Sequence, residues 1–265
     1  MTLIHADQAK NFHSIRAAFV ASAVMALALL VSCGKSQPAS ESSISPKGAA
    51  VTIDPATAGS ISGVVSFKGA PPKLKPLDMT QDPACPPSPQ PADAVVINGG
   101  KLANVFVYVK EGLPQGAFAV PGEPVALDQK DCRYIPHIMG IMAAQPLKIL
   151  NSDKADHNIH DMPHNNPEFN ESQPSSNKPV VKNFANPEMM IPVQCNQHPW
   201  MRAYINVMSH PYFAVSAPDG SFSIKNLPPG EYTLAALHEK FGEQTMKVKV
   251  GPKMDSDARF TFPAQ

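Results

Sequence analysis

Charge is scarce in this chain. Asp, Glu, Lys and Arg make up only 17% of the 265 residues and the formal net charge is zero. The Lys and Arg residues are scattered, with no basic run of the kind that follows a phosphate backbone, so no nucleic-acid partner is expected. Uninterrupted helical sequence is scarce as well. The chain carries 29 prolines, and a proline in a helix interior costs about 3 kcal/mol. A helix-rich fold is therefore excluded, and short strands bounded by turns are expected. Catalytic constellations are also missing: no Ser/His/Asp set or paired carboxylates stand out, and the chain is not expected to be an enzyme. There is no fixed-period repeat. Cysteine occurs four times and tryptophan once, so each of these residues invites an account.

Residues 1–33 read as a leader. Lys10 and Arg16 give a positive start and residues 17–30 (AAFVASAVMALALL) an apolar stretch too short to span a bilayer comfortably. It ends in Leu30-Val31-Ser32-Cys33, which resembles the bacterial lipobox and makes Cys33 the expected lipidated residue; an ordinary signal peptide with an incidental cysteine is the alternative. Residues 34–58, rich in Ser, Pro and Ala, read as a flexible tether. The expected location is the periplasmic face of a bacterial membrane, with the chain exported and held by its lipid.

Export leaves Cys85 and Cys132 in an oxidising compartment, where they are expected to pair. The alternative places Cys132 with His137 in a second metal site.

Along the rest of the chain, strands are expected at 59–69, at 94–97 and 103–109 around an Asn-Gly-Gly turn, and at 134–138 and 146–150. Others are expected at 180–184, 189–193 and 203–208, and then in a short-strand meander from 212 to 250. Residues 112–127 and 161–179 read as loops. The expected division is 59–209 for the first folded domain and 210–265 for a second.

The most informative stretch is Cys195-Asn196-Gln197-His198-Pro199-Trp200-Met201. It gathers a thiolate, an imidazole and a thioether between two strands. Upstream, Asp156-His157-Asn158-Ile159-His160 offers a second imidazole. Two imidazoles, one thiolate and a weak thioether are the donor set of a blue-copper electron-transfer site. Zinc is the competing metal, with His157, His160, Cys195 and His198 as four tetrahedral donors. Singly, each of these residues is ordinary; their joint placement is what points to a metal.

The Cys-x-x-His-x-x-Met loop resembles that of amicyanin, and His157-Asn158-Ile159 is similar to the His-Asn-Val element of cupredoxins. The resemblance implies a cupredoxin-like Greek-key β-sandwich holding one type 1 copper ion on His157, Cys195, His198 and Met201. It implies that Asn158 bonds the backbone beside the cysteine, with Asn196, Pro199 and Trp200 also lining the site. It further implies single-electron transfer with extracytoplasmic partners, a cytochrome or oxidoreductase, and His198 as the exit. A multicopper oxidase is excluded, since Gln194 and Asn196 flank Cys195 where that class has histidines. The alternative functions are copper handling, zinc binding, or a carbohydrate- or protein-binding lipoprotein without redox role.

Asp219-Gly220-x-Phe222-x-Ile224 and Leu227-Pro228-Pro229-Gly230-x-Tyr232-x-Leu234 resemble the carboxypeptidase regulatory-like (transthyretin-like) β-sandwich. Gly59 to Gly69 looks like the first strand of the same module, which leaves open that the copper domain is inserted into it. His137, His164, His210 and His238 are expected to be structural, with His238 at the surface.

Overall fold

The computed structural model describes residues 48–175 and 178–264; the leader, Cys33 and residues 34–47 of the tether lie outside the described residues. Every regular element among the described residues is a β-strand, so this part of the chain is all-β, as its prolines and alternating patterns lead one to expect.

Strand β1 (Gly59–Lys68) buries Ile61, Val65 and Phe67 on one face. It pairs antiparallel with β15 (Ser221–Leu227) and, on its other edge, parallel with β18 (Asp255–Pro263). The short hairpin of β2 (Ile97–Asn98) and β3 (Lys101–Leu102) continues this sheet. Its two-residue turn, Gly99 and Gly100, has φ of 55° and 76°. Positive φ at both positions is the tight-hairpin geometry that glycine adopts without steric cost. The facing sheet runs β14 (Phe213–Val215), β4 (Phe106–Glu111), β16 (Gly230–His238), β17 (Gly242–Val250). Val107, Val109, Leu234 and Ala236 from this sheet share one core with Ile61, Val65, Phe222 and Phe260 from the other.

A second sandwich lies between β4 and β14 in the sequence. One sheet orders β11 (Val180–Lys182), β8 (Leu147–Asn151), β5 (Val125–Lys130) and β6 (Arg133–Ile135). The other orders β10 (Asn170–Gln173), β9 (His157–Asp161), β12 (Glu188–Gln194), β13 (Arg202–Met208) and β7 (Ile138–Met142). Leu127, Leu147 and Ile149 from the first meet Ile159, Ile191, Val193 and Ile205 from the second. Each such buried side chain stabilises by about 1.5–3 kcal/mol, which makes this core a firm base for the loops at its end.

The strand pairing differs from the expected division at 209/210. Strands β1 to β4 belong with β14 to β18, and the second sandwich is an insertion between them. Non-local pairing, β1 with β15 and β18, overrides the sequence order. The expected tether also ends sooner than residue 58. Val51 N–H donates to Ala117 O and Ala117 N–H to Ala49 O, each at 2.8 Å, while Val51 and Ile53 pack on the first core.

The two sandwiches meet through Phe106 and Tyr108 of β4, Ile138 of β7, Met208 of β13 and Ala235 of β16. Gly140 sits at this junction, where a Cβ would lie 2.6 Å from the rings of both Phe106 and Phe213. Gly140→Ala is expected to destabilise the protein by about 1–3 kcal/mol through overpacking, read as a lower urea midpoint with an unchanged slope.

Candidate metal centre

Strand β12 ends at Gln194 and β13 begins at Arg202, its partner across the ladder. The loop between them is held at its neck by Cys195 N–H to Met201 O at 3.3 Å. Met201 N–H to His198 O at 2.9 Å closes a turn within it. Pro199 is the second residue of that turn, where its fixed φ suits the backbone. Strand β9 runs beside β12, with Gln194 opposite His160, so His157 at its first position stands next to the loop.

Three donor atoms converge there. His157 Nδ1 lies 2.9 Å from His198 Nδ1, and Cys195 Sγ lies 3.6 Å from His198 Nδ1. Together these atoms form a cluster able to hold a metal ion. Metal–nitrogen distances of about 2.0–2.1 Å and metal–sulfur distances of about 2.3 Å bring such donors to this kind of separation. His157, Cys195, His198 and Met201 are all buried. Asn158 N–H donates to Cys195 Sγ at 3.4 Å, and Asn158 Oδ1 accepts the Asn196 N–H. Tyr134 O–H donates to Asn158 O at 2.5 Å. Burial, with Cys195 nearby, raises the Tyr134 hydroxyl well above its ordinary range.

Two carboxylates that the sequence reading missed take the far sides of the imidazoles. His157 Nε2 is 2.8 Å from Asp153 Oδ2, and His198 Nε2 is 3.1 Å from Asp82 Oδ2. The Ala84 N–H, and then His198, hold the Asp82 carboxyl below its ordinary value. A carboxylate only accepts, so an imidazole proton on Nε2 is the one each carboxylate can bind, which leaves Nδ1 as the atom available to a metal. Two Nδ1 atoms 2.9 Å apart, beside a buried sulfur, suit a cation between them. Burial lowers the His157 pKa, against the opposing pull of Asp153, and so favours the neutral ring that a metal requires.

His198, the expected exit, does not reach the surface as its loop position suggested. The residue is only 4% exposed and its outer nitrogen faces Asp82. Pro199 is exposed and Trp200 half-buried; the indole lies 5.0 Å from the His198 ring and donates from Nε1 to Cys132 O at 3.1 Å.

Cys85 and Cys132 are joined as a disulfide, and His137 instead faces Glu239 and Arg202 O. His160 is engaged by Asn196 at 3.0 Å and Glu168 at 2.8 Å and stands outside the donor cluster, so the four-ligand zinc set does not assemble around it. His238 is not at the surface: it is 1% exposed and stacks on Phe241.

Asp161, further along β9, is fully buried. Its Oδ1 accepts the Phe169 N–H at 2.6 Å and its Oδ2 has no partner. Burial pushes this carboxyl up to about 6 from its ordinary 3.8. The folded state therefore binds the proton more tightly than the unfolded chain, and stability falls as pH rises from near the unfolded to the folded value. A loss on the order of 2–3 kcal/mol is expected across that window. Chemical denaturation at several pH values checks it, and Asp161→Asn should flatten this part of the profile.

The chain is similar to known proteins over parts of its length. Residues 194–262 match the family model described as ER membrane protein complex subunit 7, beta-sandwich domain, rather than a carboxypeptidase regulatory-like one. No curated protein matches the chain. Among solved structures it is similar to the Cu-containing nitrite reductase (NirK) from Thermus scotoductus SA-01, at 18% identity and a TM-score of 0.30, over 37% of this chain and 25% of that one. The chain thus spans about a quarter of the reductase's length. It is also similar to a point mutant of amicyanin, in its Cu(I) form, at 17% identity and a TM-score of 0.28, over 32% of this chain and 82% of that one. For the Novel Purple Cupredoxin from Nitrosopumilus maritimus the values are 18% and 0.27, over 32% and 98%. The side chains of the site, and not these likenesses, bear on function.

Proposed function

We propose that His157, Cys195 and His198, with the Met201 thioether as a weak fourth donor, hold one type 1 copper ion. On this reading the chain carries single electrons between extracytoplasmic redox partners. The observation that carries it is the meeting of two imidazole Nδ1 atoms and one thiol sulfur in a buried cluster. Copper held there would cycle between Cu(I) and Cu(II), the sulfur favouring the first and the imidazoles serving both.

The chain's own part is to keep the donors still. Cys195 and His198 sit on a loop clamped by paired strands, and Asn158 ties the backbone after Cys195 to the strand that carries His157. Donors fixed in this way rearrange little when the oxidation state changes. The reading assigns no catalysis to the chain. Its partners are a cytochrome or oxidoreductase, reached from a lipid anchor at Cys33 on the periplasmic face of a bacterial membrane.

Addition of one equivalent of Cu(II) to the purified protein is expected to give an intense visible absorption that bleaches on reduction and returns on oxidation. A colourless adduct without a reversible couple would instead support zinc binding or copper handling.

A further inference from the structure

The Cys85–Cys132 disulfide joins two small turns, one carrying Asp82, which meets His198, and the other held by Asp153, which meets His157. On the first, Asp82 N–H donates to Met79 O at 3.2 Å and Cys85 N–H to Asp82 O at 3.1 Å. Asp82 Oδ1 takes the Ala84 N–H at 2.8 Å, leaving Oδ2 for His198. Met79, 1% exposed, roots this turn in the second core.

The second turn connects β5 to β6, with Lys130 paired to Arg133. Its central residues, Asp131 and Cys132, have φ of 55° and 53°, a left-handed conformation costly for residues other than glycine. Asp153 compensates: its Oδ1 accepts the Asp131 N–H at 2.7 Å and its Oδ2 the Cys132 N–H at 2.8 Å. The same Oδ2 meets His157 Nε2. The sulfur bridge thus ties the Asp82 turn to the turn that Asp153 organises.

We propose that Asp82 is a positioning residue for the metal centre, acting through His198 and held in place by the disulfide. The inference rests on His157, Cys195 and His198 being the ligands, and adds how His198 is kept competent. A neutral imidazole carries one proton, and at His198 there are two places for it. With Asp82 present, the proton sits on Nε2 and Nδ1 is free. Without Asp82, the better acceptor is His157 Nδ1, 2.9 Å from His198 Nδ1. The proton then moves to His198 Nδ1 and lies between the two rings, on the atom a metal needs bare. Asp82 also covers the outer edge of the ring, which is why His198 is buried in a loop whose neighbours Gln197 and Pro199 are exposed.

The test uses the full chain without metal and needs no redox partner. Nitrogen-15 NMR of the imidazoles at neutral pH is expected to show protonated Nε2 on both His157 and His198. Asp82→Ala should move the His198 proton to Nδ1 while His157, still bonded by Asp153, keeps its Nε2 proton. Copper affinity, measured by competition with a chelator, should fall about 10–100-fold, the usual consequence of losing a partner of a ligating histidine. The Cys85→Ser/Cys132→Ser double variant should shift His198 in the same direction if it folds; Asp82→Ala leaves the disulfide intact and stands alone if it does not. An unchanged His198 tautomer in Asp82→Ala, with unchanged copper affinity, overturns the proposal. Failure of the wild-type protein to take up copper overturns the ligand assignment instead, and the metal-free tautomer readout separates the two.

Discussion

Copper-loaded protein in which Cys195 is replaced by serine is expected to be colourless, having lost essentially all of its visible absorption. The colour of a thiolate–copper pair comes from electron density moving from sulfur to Cu(II), and a serine hydroxyl cannot supply it. The two imidazoles remain, so some Cu(II) still binds, but with an ordinary nitrogen-and-oxygen environment. The fold should survive. Cys195 is buried with the Asn158 N–H 3.4 Å from its sulfur, and a serine oxygen on its shorter bond meets that proton less well, so a stability cost of about 1–3 kcal/mol is expected. Visible spectra before and after one equivalent of Cu(II), with a urea melt of each variant, check both halves. A coloured Cys195→Ser protein would remove Cys195 from the ligand set.

Loss of the Cys85–Cys132 bond is expected to cost more stability than any other change considered. The two cysteines are separated by 47 positions, and closing a loop of that size in the unfolded chain corresponds to about 4 kcal/mol in the chain-entropy account. The native state also loses what the bond secures: the Asp82 turn against His198 and Cys132 in a left-handed conformation under Asp153. The Cys85→Ser/Cys132→Ser variant should therefore unfold at a markedly lower urea concentration, and this measurement is decisive on its own. An unchanged midpoint would show that the bond constrains nothing the folded state lacks.

Much of the architecture was legible from alternation alone. Ile61 and Phe67 announce β1, and Tyr232 and Leu234 announce β16. Strand β18 escaped because its first buried positions are Ser256 and Ala258, too small to make an apolar rhythm before Phe260 and Phe262. Strand β9 was not among the expected strands because it buries His157, Asn158 and Asp161, and polar residues are kept inside only by the bonds they make. Those bonds are invisible until the partners are in place.

The site divides along the same line. The ligand residues stand within seven positions of one another on the loop, with His157 on a short motif, so their chemistry could be read in sequence. Asp82 is 116 positions from His198, and nothing local to it marks a carboxylate aimed at an imidazole. The same holds for the insertion of one sandwich into the other. It depends on β1 choosing β15 and β18 as partners, a choice made by packing between residues far apart in the chain. His238 was misplaced for a related reason: the rings of Phe241 and Phe262 that enclose it come together only when the terminal strands assemble.

Electron paramagnetic resonance of the full chain carrying one equivalent of Cu(II) tests the central claim most directly. With His157, Cys195 and His198 as ligands, the unpaired electron is shared with the sulfur. The spectrum should then show the compressed copper hyperfine splitting of a thiolate-bound site, together with coupling to two imidazole nitrogens. A wide splitting typical of nitrogen and oxygen ligands, without colour, would contradict it.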